Sequence, residues 1–500
     1  MAESWRVLLE QREQLLATQT ALNIVWTILA ACLVMFMQAG FALVETGFSR
    51  SKNVAHTMAM NFLVYSIGVL AYWVCGFALQ MGGAPEIASL GQTAGLAREL
   101  TVQLQGRELG LFGMRGFFLP STWFTPASAA LFMFQMVFMD TTATIPTGAM
   151  AERWKFSAFM LFSAAVGGLI YPIYANWVWG GGFLSQLGSG FGLGHGHVDF
   201  AGSSVVHMTG GVLALVGASL LGPRIGKFDR QGRVHAIPAH NVPMIVTGTF
   251  ILAFGWFGFN AGSTLSGMDS RLAVIAVSTL LSSASGALTG ALYSARRFGK
   301  PDVTMMCNGM LAGLVAITAP CAFVASWSAV LIGAMAGVLV IEATLFVERR
   351  LQIDDPVGAI SVHGVCGCFG ALCVGLFADG TYGDGLNGVA GPVRGLFYGD
   401  VGQLLAQLLG IGCNMVWVGA VGMATFKGID RLIGHRPYYQ DELRGLDLAE
   451  LGMEGYYAGE EPGAAAVPGM GTGARAAQWE PASSISGALP KSTLSGMRRS

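Results

Sequence analysis

Two histidines, His207 and His363, sit inside long apolar runs that are rich in glycine and other small residues. An ionisable side chain in a membrane-type segment is costly and marks a pathway or a site by default. Neutral imidazole carries one hydrogen-bond donor and one acceptor, a set suited to handing a small polar molecule along. The surroundings repeat, as Val206-His207-x-x-Gly210-Gly211 in one run and Val362-His363-x-x-Cys366-Gly367 in another. Taken singly, each histidine reads as a satisfied structural residue. The matched pair favours a pore in which two imidazoles meet. No metal is expected there, because no third ligand stands at helical spacing from either ring.

Three more clusters carry possible chemistry. Ahead of the His207 run lies WVWGGGFLSQLGSGFGLGHGHVDFAG, with Trp177 and Trp179 at the end of the preceding run. Asp199 there reads as the N-terminal cap of the next helix, where the helix dipole favours an acid. His195, His197 and Asp199 alternate, but in a glycine-rich loop such spacing is more often accidental than chelating. GWFGFNAGS, Gly255 to Ser263, joins aromatic rings to a hydroxyl, and FQMVFMDTT adds Phe134 and Phe138. Rings at a pore mouth can hold a small cation by about 0.5–2 kcal/mol. They serve equally well as core packing, and spacing alone does not choose.

The elements that position these residues follow from composition. Of 500 residues, 53% are hydrophobic and 11% charged, against roughly 25% charged in soluble domains. That much apolar material cannot be hidden in one water-soluble globule. A net charge of −1 supplies no basic field for nucleic acid. The 71 glycines follow no Gly-X-Y period, which excludes collagen. The eight cysteines lie in or at the end of apolar runs rather than in a disulfide framework, and Cys366-x-Cys368 reads as small core residues.

Eleven runs suffice for crossing a bilayer, near 24–47, 56–79, 127–150, 156–179, 203–221, 242–260, 272–293, 303–320, 328–346, 357–377 and 401–426. Only helices fit, since no barrel-like alternation is present. Alternate connections hold thirteen Lys and Arg, from Arg50 and Lys52 to Arg349 and Arg350; the others hold five, Arg98, Arg107, Arg115, Arg271 and Arg394. The richer set belongs in the cytoplasm. The fold expected is thus an all-α polytopic membrane protein of eleven transmembrane helices, N-terminus out and C-terminus in. Spans one to five and six to ten then have opposite orientations, as in an inverted repeat.

Four regions are expected. Residues 1–21 form an extracytoplasmic amphipathic segment, with Trp5, Leu8, Leu9, Leu15 and Leu16 broken up by Glu10, Arg12 and Glu13, unlike a signal peptide. Residues 22–426 form the membrane domain and 427–459 a cytoplasmic regulatory tail. From 460 to 500, Gly, Ala, Pro and Ser predict disorder.

The blocks SRSKN, AERWKF, VWGGGFL, DFAGSSVVH, GWFGFNAGS and DDPVGAISVHGVCG, in that order over residues 22 to 457, resemble the ammonium transporter family, the Amt/Mep/Rh group. The resemblance implies a homotrimer in the cell (plasma or inner) membrane, each subunit holding its own pore for ammonium and ammonia. It implies no enzyme activity and no cofactor. Trp179, Phe138 and Ser263 match the family's outer recruitment site, Phe138 and Phe259 its stacked gate, and His207 and His363 its twin histidines. Asp199 matches the acid supporting the site.

Some positions depart from the pattern. Asp140 stands where many members have a small apolar residue, and reads as a buried acid facing polar neighbours rather than as a modifier of cation affinity. Gly358 replaces a second acid, leaving Asp355 to anchor the His363 segment. The tail stretch GLDLAELGMEGYY resembles the motif that helps dock a PII signalling protein, with Leu451 where histidine is frequent. The competing expectation is an ammonium sensor signalling through its tail, although no kinase or cyclase domain is attached. An intramembrane hydrolase is disfavoured by the lack of an H-E-x-x-H motif.

Overall fold

The computed structural model describes residues 2–84, 87–91 and 99–456. Arg98 and the segment 460–500, read above as disordered, lie outside the described residues. Within them the apolar runs become helical spans α1 (Ala2–Phe48), α2 (Ser51–Met81), α3 (Pro126–Met150), α4 (Phe156–Trp179) and α5 (Ser203–Leu221). They continue as α6 (Val242–Thr264), α7 (Arg271–Phe298), α8 (Val303–Thr318), α9 (Ser326–Arg349), α10 (Ile360–Phe377) and α11 (Val401–Ile433). Ten of these are long and apolar enough to cross a membrane. The exception, α8, has 16 residues. Pro320 has no backbone N–H to continue the helical ladder, so the run expected to reach 320 ends as helix at Thr318, with Ala319 as its cap.

Two expectations need correction. The chain is mostly helical, but not all-α: β1 (Glu99–Leu104) and β2 (Arg107–Gly113) form an antiparallel hairpin. Leu and Val alternate with polar residues there, and Gln105 and Gly106, both at positive φ, close the tight turn. Nor is the N-terminal segment separate from span one. No glycine or proline interrupts residues 2–39, so α1 is one helix of 47 residues. That is about 70 Å, more than twice the roughly 30 Å of bilayer hydrocarbon. The boundary expected between residues 21 and 22 falls inside it.

Glycines let the spans approach closely where side chains would not fit. A Cβ on Gly40 of α1 would lie 2.9 Å from the Gly248 carbonyl oxygen of α6, and one on Gly309 of α8 lies 2.6 Å from that of Gly286 in α7. Such small-residue contacts give helices close van der Waals packing where no hydrophobic drive operates between them. Four spans contain a π-helical turn, which holds one residue more than an α-turn. They are Tyr72–Gly76 in α2, Val166–Ile170 in α4, Ser203–Met208 opening α5 and Ile360–Val365 opening α10.

One end of the bundle gathers the connections richest in Lys and Arg together with the tail. Arg224 is buried and holds Asp354 in two bonds, Nε to Oδ2 at 2.8 Å and Nη2 to Oδ1 at 3.0 Å. Its Nη1 donates to Glu152 at 2.5 Å. Arg50 pairs with the other oxygen of Glu152. Burial opposes ionisation of Asp354, but Arg153 and Arg224 hold its carboxyl well below the usual range. The tail docks on this end: Asp447 accepts from the backbone N–H of Ala55 and His56 at 3.0 and 2.8 Å, and the Lys52 ammonium donates to the Glu442 carbonyl at 2.6 Å.

Candidate functional site

At the opposite end a vestibule of about 350 Å³ is lined by Trp179, Phe138, Ser263, Asp199, His197 and Arg271 among others. The three residues matched to recruitment therefore share one cavity, although they come from α3, α4 and α6. Ser263 Oγ donates its proton to the Phe259 carbonyl at 2.8 Å. Its lone pairs are left to accept from a bound N–H group.

From this cavity a column of rings runs inward. Phe138 meets Trp179 edge to face at 5.9 Å between centroids and stacks on Phe259 at 4.1 Å. Phe259 stacks on His207 at 5.3 Å, and His207 on His363 at 5.2 Å. Phe138, Phe259 and His207 are each no more than 1% exposed. Trp256 covers the His207 ring at 5.0 Å and is itself fixed by Nε1–H donation to Thr318 Oγ1 at 2.9 Å.

The two imidazoles face each other Nδ1 to Nδ1 at 3.2 Å. A hydrogen bond of that length needs one proton between them, so one Nδ1 donates and the other accepts. In the neutral pair, one ring then presents a bare Nε2 and the other an Nε2–H. Among the described residues no hydrogen bond engages His207 Nε2. The pair thus offers one acceptor and one donor to whatever passes. Its spacing is fixed by main chain, since a Cβ on Gly211 would lie 2.1 Å from Gly364 N.

Asp199 is consumed by the start of α5. Its Oδ1 accepts from Gly202 N and Ser203 N at 2.8 and 2.9 Å. Its Oδ2 accepts from Ser204 N, Ser204 Oγ and Val205 N at 2.7, 2.6 and 2.9 Å. Five donors fill a carboxylate, so Asp199 can act on the vestibule through its charge rather than as a ligand. Its backbone carbonyl accepts from Trp179 Nε1 at 2.6 Å, which orients that ring.

His197 extends this network. Because Ser204 Oγ gives its proton to Asp199, the 2.9 Å contact between His197 Nε2 and Ser204 Oγ is an Nε2–H donation. Burial pushes the His197 imidazole down to about 4, against the opposing pull of Asp199. His195 points elsewhere and donates from Nε2 to the Gly391 carbonyl at 2.8 Å. Asp140 is buried in α3, and its Oδ1 has no hydrogen-bond partner among the described residues.

Sequence reasoning missed His197 as part of the Asp199 network, and Trp256 as the cover of His207. It also counted Arg271 only as a loop charge, whereas that guanidinium lines the vestibule and is neutralised by Asp269, 2.6 Å away. A tryptophan is ordinary in an apolar span, so no local signal marked Trp256.

Among the described residues, ten helices long and apolar enough to cross a membrane define a polytopic membrane protein. The sequence profile of the Ammonium Transporter Family matches residues 25–456, and the chain belongs to that family. It is similar to the ammonium transporter Amt2 of Archaeoglobus fulgidus, 45% identical over 441 residues that cover 87% of this chain and 88% of the relative. It is also similar to a solved sensor Amt protein, 36% identical with a TM-score of 0.75, covering 87% of this chain and 99% of that one. Mep2 of Candida albicans is 28% identical with a TM-score of 0.72, covering 89% and 93%.

Proposed function

We propose that residues 22–426 form an ammonium-conducting pore that strips a proton from ammonium at its mouth and passes ammonia along the histidine pair. The observation that carries this reading is the 3.2 Å contact of His207 with His363 directly behind the stacked Phe138 and Phe259. Ammonium matches K⁺ in size and charge, so size cannot separate them. Trp179 and Phe138 hold the cation by their ring faces while Ser263 accepts one of its N–H groups, and Asp199 keeps the start of α5 in place. Beyond the Phe138–Phe259 gate an apolar lumen penalises any permanent ion by several kcal/mol. Ammonium escapes that penalty by leaving its proton, and K⁺ has none to leave. Ammonia then donates to the bare Nε2 and accepts from the protonated one.

In this reading all eleven spans cross the bilayer, α8 included, with the N-terminus outside and the tail in the cytoplasm. Spans one to five and six to ten are then inverted repeats. Three such chains assemble as a homotrimer in the cell membrane, and the tail, residues 427–459, is the surface offered to a PII signalling protein. Purified protein in liposomes on a solid-supported membrane tests the function, with pulses of ammonium and then of K⁺, alongside an internal pH dye. The expected result is an ammonium-dependent flux with none for K⁺.

A second reading, an ammonium sensor, is favoured by the likeness to the sensor Amt protein and by the docking of the tail on α2 through Asp447. It predicts a brief binding signal without sustained flux in the same liposomes.

A further inference from the structure

A second, small cavity of about 20 Å³ touches His363 but not His207. Phe41, Ile145 and Leu252 make its walls apolar, and its polar groups are Glu45, Asn308 and His363. That volume admits one water-sized molecule. With His363 Nδ1 taken by His207, Nε2 is the ring atom left for this cavity. Glu45 lies in the last turn of α1, toward the charged end of the bundle, and its side chain is 2% exposed. Asn61 Nδ2 donates to Oε2 at 2.7 Å, and Thr147 Oγ1 lies 2.7 and 2.8 Å from the two oxygens. No Lys, Arg or His forms an ion pair with Glu45 among the described residues. Asp355, which caps α10, is the neighbouring carboxyl whose charge acts on it. Glu45 can therefore take up or release a proton without breaking an ion pair.

We propose that Glu45 is the proton acceptor beyond the histidine pair, so that the proton left by ammonium follows the ammonia through the protein. The proposal rests on the ammonium-conducting reading above. In the step, the bare Nε2 of His207 takes up the proton that ammonium leaves, its Nδ1–H passes to His363 Nδ1 across the 3.2 Å contact, and the Nε2–H bond of the now protonated His363 breaks as a new O–H bond forms on the one water that the cavity admits. That water passes one of its own protons to the Glu45 carboxylate. His363 returns to neutral, Glu45 becomes the acid, and the water is regenerated. Glu45 then releases the proton toward the charged end of the bundle. No electron changes hands, and each cycle carries one ammonia and one proton, hence one net charge.

The test compares the parent with Glu45→Gln and Glu45→Asp in liposomes, reading ammonium-evoked current and dye-reported flux together. Glutamine keeps an oxygen for Asn61 and Thr147 but cannot carry the proton, while aspartate can. The expected result is a loss of current of roughly tenfold or more in Glu45→Gln, with most of it recovered in Glu45→Asp and thermal midpoints close to the parent's. A smaller loss in Glu45→Gln overturns the proposal. So does an equal loss in both variants, which marks Glu45 as packing. Flux without current in the parent also overturns it while leaving the pore reading intact. A parent with neither removes the pore reading itself.

Discussion

Asp199 and Asp355 each stand eight residues ahead of one of the two paired histidines, and each carboxylate caps the opening turn of the span that carries it. Asp199 takes five donors. Asp355 takes three, with Oδ1 accepting from Gly358 N and Ala359 N at 3.1 and 3.0 Å and Oδ2 from Ile360 N at 2.7 Å. Burial pushes the Asp355 carboxyl up to about 6, despite those amides. The two caps share a geometry and differ in how fully the charge is satisfied.

Replacement of both His207 and His363 by alanine is expected to cut ammonium flux at least about tenfold while leaving the protein folded. The loss of a single hydrogen bond's worth of free energy, about 1.4 kcal/mol, already corresponds to that factor. Flux into liposomes and a thermal midpoint measure the two halves of this expectation. Parent-like flux and selectivity would sink the proposed role of the pair.

Gly211→Ala is expected to destabilise the protein by about 1–3 kcal/mol, because the new methyl meets the backbone of Gly364 rather than a movable side chain. It should also widen the histidine contact and lower flux. Gly412→Ala in α11, where none of the described residues lies within 4 Å of the added carbon, is the control. That change should leave stability the same or slightly higher, since alanine is the better helix former.

His197 sets an acid limit on stability. Its folded value of about 4 lies below the ordinary 6.5, so above pH 6.5 the folded and unfolded chains are both neutral there and the full stability is present. As pH falls from 6.5 toward 4, the unfolded chain gains a proton that the folded chain refuses, and stability drops by a total of about 3 kcal/mol. His197→Gln keeps a donor for Ser204 and removes the titration. Thermal midpoints of parent and variant between pH 8 and 4 should therefore converge in acid, and parallel curves would count against this assignment.

At the charged end, Arg224→Ala leaves Asp354 and Glu152 buried without their guanidinium. The expected cost is about 3–5 kcal/mol. Folded yield and a thermal midpoint measure it. Wild-type stability would show that Arg153 and Arg50 suffice for both carboxylates.

Much of this was legible before the fold was known, for physical reasons that particular residues illustrate. His207 and His363 stood out because an apolar span has few reasons to hold an imidazole, and Asp199 because helix starts select acids. Other features depend on distances that a pattern of 3.6 does not encode. The Nδ1 contact joins residues 156 apart in the chain. Trp256 looks like an ordinary member of its helix until its neighbours are known, whereas Glu45, inside the expected run 24–47, carried the same signal as the histidines. The Leu-Thr-Val-Gln-Leu strand carried a readable alternation, but beside eleven strong helical runs so short a signal was outweighed. The end of α8 needed only the proline at 320.

The π-helical turn at Ser203–Met208 has a consequence for how this gene can change. One residue fewer would let the segment rewind as ordinary helix and leave the rest of α5 in place, but the side chains inside the turn, His207 among them, would be re-aimed relative to Asp199. His207 would keep its identity and lose its partner. In these turns the number of letters is under stricter control than most of the letters themselves, so viable variants should be dominated by exchanges and nearly free of insertions and deletions.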